Sequence, residues 1–277
     1  MSRKLVFLDI DGTLMAFRSS PSPLVSAAVR SARTKGHGVF LCTGRNMPII
    51  GPAILDVGFD GVIASAGSHI EVGGEVLLDC QLSEEVVQEC LDVFHRSGVY
   101  CRIETREGVY TDPQMEELVR AAVPAPGNYE LLRIQRELSG LGMRPYADYP
   151  RQGAYKICFT SRDLQSAEEA RKALEERFEF VMHPSGGGCY NGEIIRRDLD
   201  KGSGIELICR HFGVDLADSV AFGDSLNDYA MLLRAGTSVA MGNACGEVKA
   251  ICDRVCEDVD HDGVYHEMVR MGLCDKV

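Results

Sequence analysis

The chain has 277 residues, 45% hydrophobic and 25% charged, a length generous for one domain and comfortable for two. Its 29 basic and 41 acidic residues give a net charge of −12 with no Lys/Arg block to offset it, so nucleic acid and anionic membrane are excluded as natural partners. Eleven cysteines, an odd number with no Cys-x-x-Cys pair, argue for free thiols in a reducing compartment; with no signal peptide and no apolar run of membrane-spanning length, the expected location is cytoplasmic.

Leu5-Val6-Phe7-Leu8 is apolar on both faces, which predicts a buried parallel strand, and it runs straight into Asp9 and then Asp11-Gly12-Thr13. Ligands of open α/β sheets sit outside the carboxyl ends of the strands, and period-two geometry sends Asp9 and Asp11 the same way. Carboxylates this close repel, and a hard cation relieves them. Ser22-Pro23 starts a helix that Gly36 ends; Val39 to Cys42 is a second buried strand and runs into Thr43-Gly44-Arg45. Residues 48–58 read as helical, 61–65 as a third strand, and 70–72 with 76–78 as a hairpin.

The pattern then changes. An amphipathic helix over 83–96 precedes alternating strands at 99–103 and 108–111, an irregular connection at Pro124 to Asn128, a strand at 154–160, a helix over 163–177 and a strand at 180–182. Residues 82–188 are therefore read as an inserted α+β domain, with 1–81 and 189–277 forming the core. Parallel character returns with a helix beginning at Lys201 and a strand at 219–222 that ends in Gly223-Asp224-Ser225-Leu226-Asn227-Asp228. A helix follows at 229–235, then a strand at 237–241 ending in Gly242-Asn243-Ala244, and two last helices at 247–252 and 264–271. The expected fold class is α/β: a Rossmann-like parallel sheet with helices on both faces, plus the inserted domain. Four strand ends then carry Asp9 and Asp11, Thr43, Asp224 and Asp228, and Asn243, with Lys201 as the one fixed cation.

These motifs, in this order, resemble those of the haloacid dehalogenase superfamily, in particular its Cof-type phosphatases. The resemblance rests on Asp9-Ile10-Asp11-Gly12-Thr13, Thr43-Gly44-Arg45, Lys201-Gly202, the Gly223 to Asp228 run, Ala240 to Ala244 and Asp262-Gly263-Val264. It implies Asp9 as nucleophile and Asp11 as general acid and base. It implies magnesium (Mg2+) held by Asp9, the Asp11 carbonyl and Asp224, with Asp228 as a further or supporting acid. Thr43, Gly44 and Lys201 would bind the phosphoryl group, and Asn227 and Asn243 would orient the site. Arg45 is either a phosphate or substrate contact or a structural ion-pair partner. The stretch between Asp9 and Thr43 has room for one helix, whereas that between Thr43 and Lys201 holds a whole domain, a cap expected to close over the crevice and set specificity.

The implied activity is hydrolysis of a small phosphorylated metabolite, a sugar phosphate or a phosphorylated cofactor. The alternatives are a hexose phosphomutase of the same superfamily and a non-catalytic phosphometabolite-binding regulator. The chain is expected to be a monomer or a weak homodimer. Three stretches depart from the family pattern: Ala66-Gly67 where Asn-Gly is usual, Arg196 to Asp200 where Pro and Gly are usual, and the glycine-rich His183 to Gly188, read as a hinge or a substrate loop.

Overall fold

A computed structural model describes residues 2–16, 20–121, 135, 143–186 and 188–277. The chain falls into two compact units: Met1–Arg45, Ile50–Asp79 and Leu199–Val277 form the first, and Asn46–Ile49 with Cys80–Asp198 the second.

The first unit is built on an eight-stranded sheet. Its strands are β1 (Leu5–Leu8), β2 (Gly38–Cys42), β3 (Gly61–Ala64), β4 (His69–Val72), β5 (Glu75–Asp79), β12 (Ser219–Gly223), β13 (Thr237–Ala240) and β14 (Arg254–Val255), in the order β14-β13-β12-β1-β2-β3-β4-β5. β14 through β3 run parallel and β4 and β5 antiparallel, so the carboxyl ends of β1, β2, β12 and β13 share one edge. β1 is central because all four of its residues are fully buried: Leu5 pairs with Ser219 on one side and Gly38 on the other.

Helix α1 (Pro23–Thr34) starts where expected, the Ser22 hydroxyl accepting the Val25 N–H at 3.1 Å. Phe7 and Phe40, stacked 5.3 Å apart, join a core with Ile205, Ile208 and Met231, which belong to α6 (Lys201–Phe212) and α7 (Tyr229–Arg234). Two further helices, α8 (Gly246–Ile251) and α9 (Gly263–Arg270), complete the unit, and α9 packs on α1. The helix expected over 48–58 is shorter: a 3-10 turn at Met47–Ile49 and a single turn, α2 (Pro52–Leu55), because Gly51-Pro52 interrupts it.

The second unit has a six-stranded sheet of β6 (Tyr100–Glu104), β7 (Val109–Thr111), β8 (Met143–Pro145), β9 (Lys156–Ser161), β10 (Glu179–Gly186) and β11 (Cys189–Ile195), in the order β10-β11-β9-β6-β7-β8. α3 (Glu84–Arg96) and α5 (Leu164–Leu174) cover one face through Leu91, Phe94, Ile103, Phe159 and Ala170; α4 (Pro113–Ala121) lies against β6 and β9. The irregular connection read at Pro124 to Asn128 lies outside the described residues.

Two sequence expectations change here. The glycine-rich His183 to Gly188 is not a free hinge: His183 pairs with Asn191 and Gly186 with Cys189 in an antiparallel hairpin. Pro184 disguises the strand, and it is tolerated because β10 is an edge strand. Consequently residues 189–198, placed with the core from the sequence, stand in the second unit, because β11 is hydrogen-bonded between β10 and β9.

Candidate active site

Asp9 follows β1 directly, and its N–H still donates to the Phe222 carbonyl at 3.1 Å, so a rigid strand end aims its carboxyl group. The chain then turns at Gly12, φ +85°, where a Cβ would stand 2.3 Å from an Asp224 oxygen; only glycine fits. Lys201 is the first residue of α6, whose start is fixed by a capping box. The Asp200 carboxylate accepts the Ser203 N–H at 2.7 Å, and the Ser203 hydroxyl accepts the Asp200 N–H at 3.0 Å. From there the Lys201 ammonium, 1% exposed, donates to Asp9 Oδ1 at 2.7 Å, Asp228 Oδ1 at 2.6 Å and Asn227 Oδ1 at 3.3 Å.

Asp228 organises the loop after β12. Its Oδ2 accepts the N–H groups of Asp224 and Ser225 at 3.0 and 3.1 Å while its Oδ1 takes the lysine. Asp224 stands beside it, with Thr13 Oγ1 donating to its Oδ1 at 3.4 Å. Carboxylate oxygens of Asp9, Asp224 and Asp228 lie within 4.8 Å of one another, all three buried. Burial first, and then the negative charge of Asp228, push Asp9 up to about 7 and Asp224 up to about 9. Burial alone would lower Lys201, but Asp228 and Asp9 outweigh it and hold it firmly protonated. An all-oxygen, crowded, acidic donor set suits a hard dication such as magnesium.

The remaining expected residues divide. Thr43 is buried at the end of β2, its hydroxyl accepting the Arg45 N–H at 3.1 Å, with Gly44 between them. Asp11 is not one of the three converging acids: Arg45 grips it with a two-pronged fork, Nε to Oδ2 at 2.8 Å and Nη2 to Oδ1 at 2.5 Å. Of the two roles open to Arg45, the structure shows the ion pair. Asn243 spends both ends of its amide on backbone, Nδ2 donating to the Gly12 carbonyl at 2.8 Å and Oδ1 accepting the Val259 N–H at 3.0 Å; it braces the Asp11-Gly12 loop.

Sequence reasoning missed three supports. Ser225 carries part of the Asp228 network. Asp200 sets the first turn of α6. The turn Ser65–Gly67 props both Thr43 and α6: the Ala66 N–H donates to the Thr43 carbonyl at 3.0 Å, and a Cβ on Gly67 would stand 2.3 Å from the Asp200 carbonyl. Two of them left a sequence signal: Asp200, an acid three residues ahead of a serine at a helix start, and Ser225, three residues ahead of Asp228 in a capping-box pattern; the Ser65–Gly67 turn left none.

A family profile described as haloacid dehalogenase-like hydrolase matches residues 6–268. Phosphatase YwpJ of Bacillus subtilis is 26% identical over 285 residues, covering 96% of this chain and 98% of its own length. HMP-PP phosphatase of Serratia proteamaculans is 26% identical over 254 residues, covering 90% and 87%. Among solved structures, a sugar phosphatase of subclass IIB superposes with a TM-score of 0.76 at 27% identity, over 98% of this chain and 99% of that one.

Proposed function

The chain belongs to the haloacid dehalogenase-like hydrolases and is a phosphatase of the Cof type, and on that premise we propose that it hydrolyses small phosphorylated metabolites with magnesium, through an aspartyl-phosphate on Asp9. The observation that carries this reading is the buried Asp9 carboxyl group at a strand end, bonded to Lys201 and crowded by Asp224 and Asp228.

Asp9 attacks phosphorus and the bond to the leaving oxygen breaks, with Asp11 delivering the proton that oxygen needs. Water then attacks the phosphorus of the aspartyl-phosphate, Asp11 takes its proton, and Asp9 is released with inorganic phosphate. Thr43 and the Gly44 N–H hold phosphoryl oxygens, and Lys201 offsets their charge. Arg45 orients Asp11, while Asp228, Asn227 and Asn243 keep Lys201 and the two loops in place. Bound by Asp9, Asp224 and the Asp11 carbonyl, with Asp228 behind them, magnesium would neutralise the transferring group. The inserted unit is read as the specificity domain. The relatives' names, HMP-PP phosphatase and sugar phosphatase, support a phosphorylated cofactor or sugar as substrate.

The test is phosphate release from a panel of phosphorylated sugars and cofactors, in EDTA and after magnesium is restored. The reading predicts no turnover in chelator, recovery with magnesium, and phosphate appearing in step with dephosphorylated product. Full activity in chelator would sink the metal; isomerised sugar outrunning phosphate would make the enzyme a mutase.

A further inference from the structure

The second unit contains another convergence of donor atoms, made by three different elements. Cys101 lies on β6 and Asp112 follows β7, one step beyond the Arg102 and Thr111 pair, so the two stand opposite each other across the strands. The Asp112 N–H donates to the Cys101 carbonyl at 2.9 Å, but the Cys101 N–H donates at 2.6 Å to the Asp112 carboxylate, which is thereby drawn in beside the thiol. His95, in the last turn of α3, brings its Nε2 to 3.0 Å from the same carboxylate oxygen. One donor atom from each of the three residues lies within 4.8 Å of the others.

The set differs in kind from the all-oxygen cluster around Asp9. It offers imidazole nitrogen, sulfur and one carboxylate, the mixture that selects borderline transition cations over magnesium. Bond lengths of roughly 2.0–2.3 Å to a tetrahedral ion place its ligands roughly 3.3–3.8 Å apart. The His95 to Asp112 separation of 3.0 Å is already close to that, and the thiol lies within 4.8 Å of both, so an ion would draw it in by about 1 Å at most. Cys101 and Asp112 are buried, whereas the His95 side chain is 36% exposed and opens the group to solvent. The ring of Tyr146 lies edge-on to His95 with centroids 5.5 Å apart, fixing the imidazole plane. Asp92, one turn earlier on α3, adds negative charge beside the histidine. A plain ion pair accounts for His95 and Asp112, and core packing for Cys101; the convergence of all three donor atoms is what a cation site adds to those two roles.

We propose that His95, Cys101 and Asp112 form a binding site for one divalent transition cation of the zinc class, with solvent as the fourth ligand. On binding, the cation takes the place of two hydrogens: the Cys101 thiol proton, which leaves to solvent, and the hydrogen His95 Nε2 donates to Asp112, which leaves to solvent from a charged ring or passes to Nδ1 in a neutral one, so no electrons are exchanged. The bound ion ties the end of α3 to the β6 and β7 pair. Its role is structural, and the magnesium chemistry at Asp9 does not depend on it.

The experiment is a cobalt(II) titration of the full chain in excess magnesium, which occupies the oxygen cluster. One equivalent should produce a thiolate-to-cobalt charge-transfer band and the intense visible bands of four-coordinate cobalt, and one equivalent of zinc should abolish both. Zinc at a hundredfold excess over its Kd should raise the thermal midpoint by roughly 5–10 °C. Cys101→Ser and His95→Ala should lose the bands and the zinc-dependent shift; should the buried Cys101→Ser fail to fold, His95→Ala at its half-exposed position decides. Absence of the bands in the unaltered chain overturns the site. So do bands of undiminished intensity in His95→Ala or in folded Cys101→Ser, since ten other cysteines would then be the source.

Discussion

Ala66 occupies the left-handed region at φ 53°, ψ 35°, directly after Ser65 at φ 49°. A side chain with a Cβ costs on the order of 1 kcal/mol there, which glycine avoids and asparagine lessens. Ala66→Gly and Ala66→Asn should therefore raise stability by ~0.5–1 kcal/mol in urea unfolding with fold and metal dependence unchanged; a loss of stability would show that the methyl group packs better than the backbone is strained. The sequence showed alanine where the family has asparagine, but not that the chain keeps the asparagine conformation regardless. At Arg45 the sequence left two roles open, because nothing in Thr43-Gly44-Arg45 says where a long side chain ends. The fork onto Asp11 leads to an expectation for Arg45→Ala: kcat falls by roughly tenfold or more while the unfolding midpoint moves little, because Asp11 loses its orientation. Arg45→Lys, one point charge without the fork, should fall between. Unchanged kcat in Arg45→Ala would reduce the pair to a surface contact.

At the scale of elements, the legible parts were those with strong local chemistry. Apolar runs ending in acids gave β1 and β12, Ser22-Pro23 gave α1, and Asp200 with Ser203 marks α6. The hairpin of β10 and β11 was hidden by proline and glycine, which an edge strand accepts. The other face of the six-stranded sheet was hidden too. Alternation predicts outward polar residues there, yet Arg102 and Glu104 are each 1% exposed and bonded at 2.9 Å, and Lys156 reaches Glu193 at 2.8 Å. α4 covers this face, a tertiary fact with no local signal. Lys156 stands 3.7 Å from Glu104, so Arg102→Met takes away one of the two cations that balance Glu104 and Glu193; it should cost on the order of 3 kcal/mol, whereas Arg102→Met with Glu104→Leu should recover most of that loss. Equal losses in the single and double variants, measured by denaturant unfolding, would mean that packing dominates over charge.

At the scale of the whole molecule, the acids of the first unit make stability depend on pH and metal together. Asp9 and Asp224 are raised in the folded state to about 7 and about 9, against an ordinary value of 3.8. A carboxyl group raised on folding stabilises the fold while it is protonated. That contribution is whole below about pH 4 and is lost as pH rises through 7 and 9. In chelator, the unfolding midpoint should therefore decline from pH 5 to pH 9, and saturating magnesium should flatten the decline. A midpoint indifferent to magnesium at pH 8 would contradict the assignment of this cluster to the metal.

The central claim is that Asp9 itself carries the phosphoryl group, and direct trapping tests it. Asp11→Asn should form the aspartyl-phosphate slowly and hydrolyse it more slowly still, so that it accumulates. The variant is incubated with magnesium and a phosphorylated metabolite that the unaltered enzyme turns over, quenched in acid, reduced with borohydride and mapped by mass spectrometry. The account predicts a phosphoryl adduct before reduction and homoserine at position 9 after it, both absent from the Asp9→Asn chain, which should also show no turnover. Steady hydrolysis by Asp9→Asn freed of contaminating phosphatase, or an adduct mapped to any other residue, would contradict it.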